Sequence, residues 1–224
     1  MRLSHQKIMR YRSSLTLMGR YIFGEGGRKM NLETMVYYLI IVNVVGFLVY
    51  FLNYMLRTHT KGKQINILIY LISLAGGAAG MLAAILLFDR KAVKENMMSR
   101  VWMICMLVIQ MILSLLFKGQ KADAWNLDVN AFLETHKILT IYLGVINIVT
   151  FFFFAIDKYR AVRNKSRIRI VTLLGMAFAG GSVGALSGIY LLRHKTKKNY
   201  FTVGVPLMMV MQVLALFYAM NTGW

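Results

Sequence analysis

The sequence predicts an all-α integral membrane protein with six transmembrane helices, arranged as two three-helix repeats of opposite orientation. Three observations carry this. Hydrophobic residue types make up 58% of the chain, with a single proline, and mean hydropathy is +0.57; a soluble domain sits near half apolar with about a quarter charged. The chain matches itself without a gap at an offset of 104 residues. Each repeat holds three long apolar runs, and an odd number of crossings turns the second copy upside down relative to the first.

The repeat is read from identities. Ala75-Gly76-Gly77, Gly80, Leu82, Ile85, Leu87 and Lys91 fall on Ala179-Gly180-Gly181, Gly184, Leu186, Ile189, Leu191 and Lys195. Tyr38-Leu39, Asn43, Val45 and Phe47 fall on Tyr142-Leu143, Asn147, Val149 and Phe151. Finding the duplication first matters, because every later assignment depends on it. The chain divides into a basic N-terminal segment (1–34), a first three-span repeat (35–117), a connecting loop (118–137) and a second three-span repeat (138–224).

Six apolar runs approach the roughly 20 residues that cross a bilayer: Met35 to Leu56, Ile65 to Phe88, Val101 to Phe117, Ile138 to Ile156, Ile168 to Leu192 and Phe201 to Met220. All are expected to be helical, since an unpaired backbone amide in hydrocarbon is too costly. With the N-terminus in the cytoplasm, 17 of the 27 lysines and arginines fall on the cytoplasmic side. Positive-inside counting then puts both termini of a multi-pass bacterial cytoplasmic-membrane protein inside. One loop disobeys: Arg193, Lys195, Lys197 and Lys198 face outward in this scheme. A straight fifth span is the expectation, and the alternative is that residues 175–188 fold back as a re-entrant hairpin shielded by protein.

Within the spans, Gly76, Gly80 and Ala84 stand four residues apart, as do Gly180, Gly184 and Gly188. Small residues at this spacing let helices approach closely in lipid, so the second span is expected to touch the fifth. Asn43 and Asn147 are equivalents, while Gln110 and Gln212 occupy similar places in spans three and six, two residues off the common offset. These four amides line a path between the halves or, more plainly, bond neighbouring helices together.

Several chemistries lack their residues. All eight carboxylates fall outside span centres, which disfavours proton-coupled transport with a midplane acid. Cys105 has no histidine at its depth, so no nucleophile and base come together and no enzyme is expected. The four histidines lack the i, i+4 spacing of a helical metal site, and no cofactor motif occurs. The net charge of +19 is spread over loops rather than one face, and argues for anionic phospholipid as partner rather than nucleic acid. A homo-oligomer is compatible with all of this.

Charge is concentrated in the second copy. Asp157-Lys158 replaces Asn53-Tyr54, and Arg193-His194-Lys195-Thr196 replaces Asp89-Arg90-Lys91-Ala92. Asp157 is expected to pair locally or with Arg167 in an exposed contact of little worth. Arg167, Arg193, His194, Lys195, Thr196 and Lys198, with Asp157 and Lys158, form the candidate set for an anionic solute or headgroup, against the plainer reading of cations snorkelling to lipid.

The run Asn147, Phe151, Asp157-Lys158, Ala161, Arg167-Ile168, Gly180-Gly181-Ser182, Gly184-Ala185 and Arg193-His194-Lys195-Thr196-Lys197-Lys198 with Phe201 resembles the bacterial membrane family known as domain of unknown function 1294. The first copy keeps the glycines and Asn43 but not the charged residues, and looks like a degenerate copy. The resemblance implies a small bacterial inner-membrane protein and no assigned activity. Cold-shock domains accompany some members; nothing like their aromatic strands occurs here. The functional expectation is a small inverted-repeat transporter or lipid-translocating protein for an anionic solute or headgroup, with a non-transporting membrane scaffold as the alternative.

Overall fold

The computed structural model describes residues 32–59, 65–91, 93–119 and 126–222. The basic stretch 1–29 lies outside the described residues. The chain forms two compact units, residues 1–40 and 41–224. In the first, residues 33–40 form the exposed opening turns of a helix. The second holds the hairpins, the core and the polar centres.

All regular structure among the described residues is helical. The elements are α1 (Leu32–His59), α2 (Asn66–Ile72), α3 (Ala78–Phe88), α4 (Met97–Gly119), α5 (Val129–Thr135), α6 (Lys137–Val162), α7 (Ile170–Met176), α8 (Ser182–Leu191), α9 (Asn199–Thr202) and α10 (Gly204–Asn221). Ends are marked by local chemistry. Arg57 and His59 occupy the last turn of α1, where cations oppose the helix dipole. Asp128 accepts the Ala131 N–H at 3.0 Å and caps α5, an arrangement worth about 1 kcal/mol. Asn164 takes a left-handed φ of 51° just past α6, one of the few non-glycine types that does so readily.

By length and composition, six stretches suit a membrane: Glu33–His59, Asn66–Phe88, Met97–Leu116, Lys137–Val162, Ile170–Leu191 and Asn199–Asn221. Ile41, Leu48 and Leu52 on α1, and Ile141, Ile148 and Phe152 on α6, stand exposed; such continuous apolar faces suit hydrocarbon, not water.

The second and fifth stretches are not straight. Between α2 and α3, Gly76 adopts φ 114° and ψ −1°; between α7 and α8, Gly180 adopts φ 121° and ψ −8°. Only glycine enters that region freely, and the chain reverses there. The ends of each stretch prove the reversal. Ile168 N–H donates to Asp157 Oδ1 at 2.8 Å, and His194 Nε2 lies 2.8 Å from Oδ2 of the same carboxylate. A straight helix over Ile170–Leu191 would be about 33 Å long, too long for both ends to reach one side chain. In the first half, Ile65 N–H donates to Asn53 at 2.9 Å while Asp89 accepts from Tyr50, one turn away on α1, also at 2.9 Å.

The expected straight crossings are thus replaced by two re-entrant hairpins, whose arms of roughly 10 and 15 Å reach about half of a 30 Å hydrocarbon layer. Each half then consists of two long helices around one hairpin rather than three straight runs, an even number of passes, and the two halves run in the same direction. The opposite orientation expected from the apolar runs is corrected accordingly. Packing agrees: a Cβ on Gly204, opening α10, would meet Val101 Cγ1, near the start of α4, at 2.9 Å, so these helices begin at the same end. Repeats related by an axis along the membrane normal are an established arrangement.

The glycine ridges also find different partners from those expected. A Cβ on Gly80 would overlap the Asn43 carbonyl oxygen, and one on Gly184 the Asn147 carbonyl oxygen. A Cβ on Gly188 would lie 2.7 Å from Phe154 Cβ. The ridges therefore press α3 onto α1 and α8 onto α6, each within its own half, instead of joining the two halves; Ala84 is buried among Tyr50, Ile85 and Met103. The larger core joins α4, α6, the second hairpin and α10 through Cys105, Phe154, Leu173, Phe201 and Val205.

Candidate functional site

Two polar centres organise the second half, one at the base of its hairpin and one at the tip. At the base, Asp157 faces inward from α6 and is fully buried. Besides the Ile168 amide and His194, it binds Lys195 Nζ at 2.7 Å. The return from α8 makes this possible: Arg193 and Lys195 adopt left-handed φ values of 45° and 64°, and His194 N–H donates to the Ile189 carbonyl at 3.0 Å. Left-handed non-glycine residues cost of order 1–3 kcal/mol each, here offset by delivery of the His194 ring and the Lys195 ammonium to a buried carboxylate. Lys195 Nζ also sits 4.8 Å from the centroid of the Phe201 ring, which packs edge-on against Phe154. Burial draws the Lys195 ammonium below the ordinary lysine range; Asp157 opposes this, and the field of Arg167 adds to it.

Of the residues expected to bind an anion, the structure brings Asp157, His194 and Lys195 together, but in contact with one another. Asp157 is buried rather than exposed, and its ion-pair partner is Lys195 rather than Arg167. Lys158 Nζ donates to the Leu192 carbonyl at 2.6 Å, tying α6 to the hairpin exit. Arg167, Arg193, Thr196 and Lys198 remain exposed around this cluster.

The first half has a counterpart that sequence reading missed. Asp89 is buried and binds Arg57 Nη2 at 2.7 Å, accepts from Asn96 Nδ2 at 2.8 Å, and accepts from the Tyr50 hydroxyl. Here the acid sits on the hairpin exit and the cation on the helix, the reverse of the second half. The signal was present: Asp89 aligns with Arg193 at the repeat offset. Arg193 itself stays exposed and Arg57 aligns with Ala161, so the two halves build their buried ion pairs on different positions of the repeat.

At the tips, all four amides bond hairpin backbone. Asn43 Oδ1 accepts Gly80 N–H at 2.7 Å and Asn147 Oδ1 accepts Gly184 N–H at 2.8 Å. Asn147 Nδ2 also donates to the Gly180 carbonyl at 3.0 Å. Gln110 donates to the Ser73 carbonyl, and Gln212 Nε2 to the Ala177 carbonyl at 2.7 Å; the accepting residues obey the 104-residue offset although the glutamines do not. Ser182 Oγ donates to Gln212 Oε1. The asparagine oxygens thus serve amides of the returning arm, while the side-chain N–H groups of Asn147, Gln110 and Gln212 serve carbonyls at the turns.

Above the second tip lies a cleft of about 680 Å³, walled by α6 and α10 through residues such as Leu143 and Met209, with Phe178 of the hairpin turn beside them, and floored by Asn147, Ser182 and Gln212. A second space of about 820 Å³ shares Leu139, Ala215 and Ala219 with it and continues to His136, Lys137 and Tyr218 at the end remote from the hairpin base.

Similarity to known proteins concentrates in the second half. The family model described as "Protein of unknown function (DUF1294)" matches residues 147–201, from the tip amide Asn147 through the hairpin to Phe201. The uncharacterized protein YsdA of Bacillus subtilis (strain 168) is 37% identical over 84 residues, which cover 37% of this chain and 94% of YsdA. No solved structure matches. With nearly the whole of that relative aligned, and the matched segment carrying both the Asp157 cluster and the tip amide, the chain belongs to the DUF1294 family.

Proposed function

We propose that this is a multi-pass protein of the bacterial cytoplasmic membrane that binds a lipid, housing an apolar chain in the cleft above its second hairpin. The observation that carries the reading is that cleft. Because the hairpin stops near mid-depth, α6 and α10 continue past it and leave a space lined almost wholly by apolar side chains. An apolar pocket of this size suits a hydrocarbon tail far better than a small anion. Lys137, at the outer end of the connected space, supplies a positive charge at headgroup level, where a phosphate is matched. The first half fits as a diverged copy of the same helix–hairpin–helix unit.

The anionic-solute reading is weaker, since His194 and Lys195 are engaged by Asp157 and lie at the opposite end from the cleft. Alternation between inverted halves offers no support either, the halves being parallel.

A photoactivatable phospholipid with a diazirine near the acyl terminus tests the reading in purified protein. Labelling is expected to concentrate on peptides containing Phe178 and Met209, and to fall in Ala215→Trp, which fills the cleft. Val145→Trp, on an exposed face of α6, is expected to leave it unchanged. Equal labelling in both variants, spread evenly over lipid-facing helices, would overturn the assignment.

A further inference from the structure

The hairpin geometry redistributes charge between the two ends of the molecule. Both hairpins enter and leave at one end, so the loop carrying Arg193, Lys195, Lys197 and Lys198 moves to the same side as the loop from Lys158 to Arg169. The segment from Arg90 to Arg100 joins them. Among the described residues, fifteen lysines and arginines lie at this hairpin-base end, from Arg57 to Lys198, and only Lys118 and Lys137 at the other. The base end holds three carboxylates, Asp89, Glu95 and Asp157, two of them buried in ion pairs. Within residues 41–224 the other end carries Asp128 and Glu134, and is close to neutral among the described residues.

We infer that the hairpin-base end is the cytoplasmic face, with its exposed basic loops resting on the anionic phospholipid headgroups of the inner leaflet, and that the C-terminal end of α10 and the helix α5 face outward. This reverses the side deduced from six straight crossings. Under straight crossings the loop with Arg193, Lys195, Lys197 and Lys198 stands on the opposite side from the other basic loops; with hairpins, every cation-rich loop among the described residues lies on one side, the seven lysines and arginines of residues 1–29 lying outside the described residues and outside this count. Arg163, Lys165, Arg167, Lys197 and Lys198 are all exposed, whereas Lys195 is turned inward. They therefore present an uncompensated positive surface at headgroup level, the arrangement that anionic lipid attracts. This orientation is set by where the hairpins return, and is independent of whether the apolar cleft holds a lipid.

Single cysteines at exposed loop positions test the orientation in intact bacterial cells, in a Cys105→Ala background. Lys165→Cys and Lys197→Cys are expected to resist a membrane-impermeant maleimide until the cells are permeabilised, while Asn130→Cys labels at once. A C-terminal alkaline phosphatase fusion is expected to be active and a C-terminal green fluorescent protein fusion dark. Labelling of Lys165→Cys in intact cells, or the opposite fusion pattern, would reverse the assignment. The headgroup contact is read separately in nanodiscs. Thermal stability is expected to be higher in phosphatidylglycerol than in phosphatidylcholine, with the difference shrinking in high salt and in R163Q/K165Q/R167Q/K197Q/K198Q. Identical melting in both lipids would remove the anionic leaflet as partner.

Discussion

Asp157 holds the ring of His194 at 2.8 Å across 37 residues of chain, and the same carboxylate takes the Ile168 amide. One side chain thus closes both ends of a hairpin. Removing one member of a buried ion pair leaves the other charge uncompensated, at a cost of about 3–5 kcal/mol. Asp157→Leu is expected to lose the ion pair and the amide acceptor together and to be severely destabilised. Asp157→Asn keeps an acceptor for Ile168, as Asn53 does for Ile65 in the first half, and is expected to be milder. Pairing it with Lys195→Met, which removes the stranded ammonium, is expected to recover part of the loss. A double-mutant cycle on thermal or denaturant unfolding in detergent measures the coupling.

The hairpin itself has a direct measure. Spin labels at Ser166→Cys and Thr196→Cys, both in exposed base loops, are expected to lie close together. A continuous helix between these positions would hold them about 45 Å apart. Pulsed dipolar spectroscopy in lipid separates the two outcomes, and a long distance would return the fifth stretch to a straight crossing.

Sequence carried the membrane class, the repeat and the residues at the tips, because composition and self-identity are additive along the chain. It did not carry the number of crossings. An apolar run over Ile170–Leu191 has the same length and hydropathy whether it crosses or turns back; what separates the cases is Gly180 in a left-handed backbone and a carboxylate that meets both ends. The loop that breaks positive-inside counting is the legible warning, since a hairpin brings it to the side of the other basic loops among the described residues. Likewise, Asp157 reads as exposed because it ends an apolar run. Its burial goes with the returning chain, which brings the Ile168 amide, His194 and Lys195 onto the carboxylate only once the hairpin has folded back.

The glycines separate close approach from mere helix composition. A methyl group at Gly80 or Gly184 would run into backbone of the adjoining helix, which yields only by moving the whole element, so Gly80→Ala and Gly184→Ala are expected to cost about 1–3 kcal/mol. Nothing lies within 4 Å of a Cβ at Gly144 or Gly175. Gly144→Ala, in the interior of α6, is expected to be neutral or to stabilise by up to about 1 kcal/mol. Melting temperatures of the four variants, with Gly175→Ala as the fourth, check the contrast, and a uniform response would mean that the ridges do not set the packing distance.

The tip amides provide the last comparison. Asn43 and Asn147 accept the amides of Gly80 and Gly184 at nearly the same distance, and both glutamines donate to carbonyls at the turns. Interhelical bonds of this kind in membranes contribute about 0.6–2 kcal/mol. Asn43→Leu and Asn147→Leu are therefore expected to destabilise to a similar extent, and each by more than loss of a single bond, because an amide of the hairpin is left without its acceptor in a dry interior. Gln212→Leu strands the Ala177 carbonyl and also removes the partner of Ser182, whereas Gln110→Leu strands only Ser73. Unfolding in detergent is expected to rank Gln212→Leu as the more damaging of the two. Equal effects would show that the Ser182 hydroxyl finds another acceptor once the glutamine is gone.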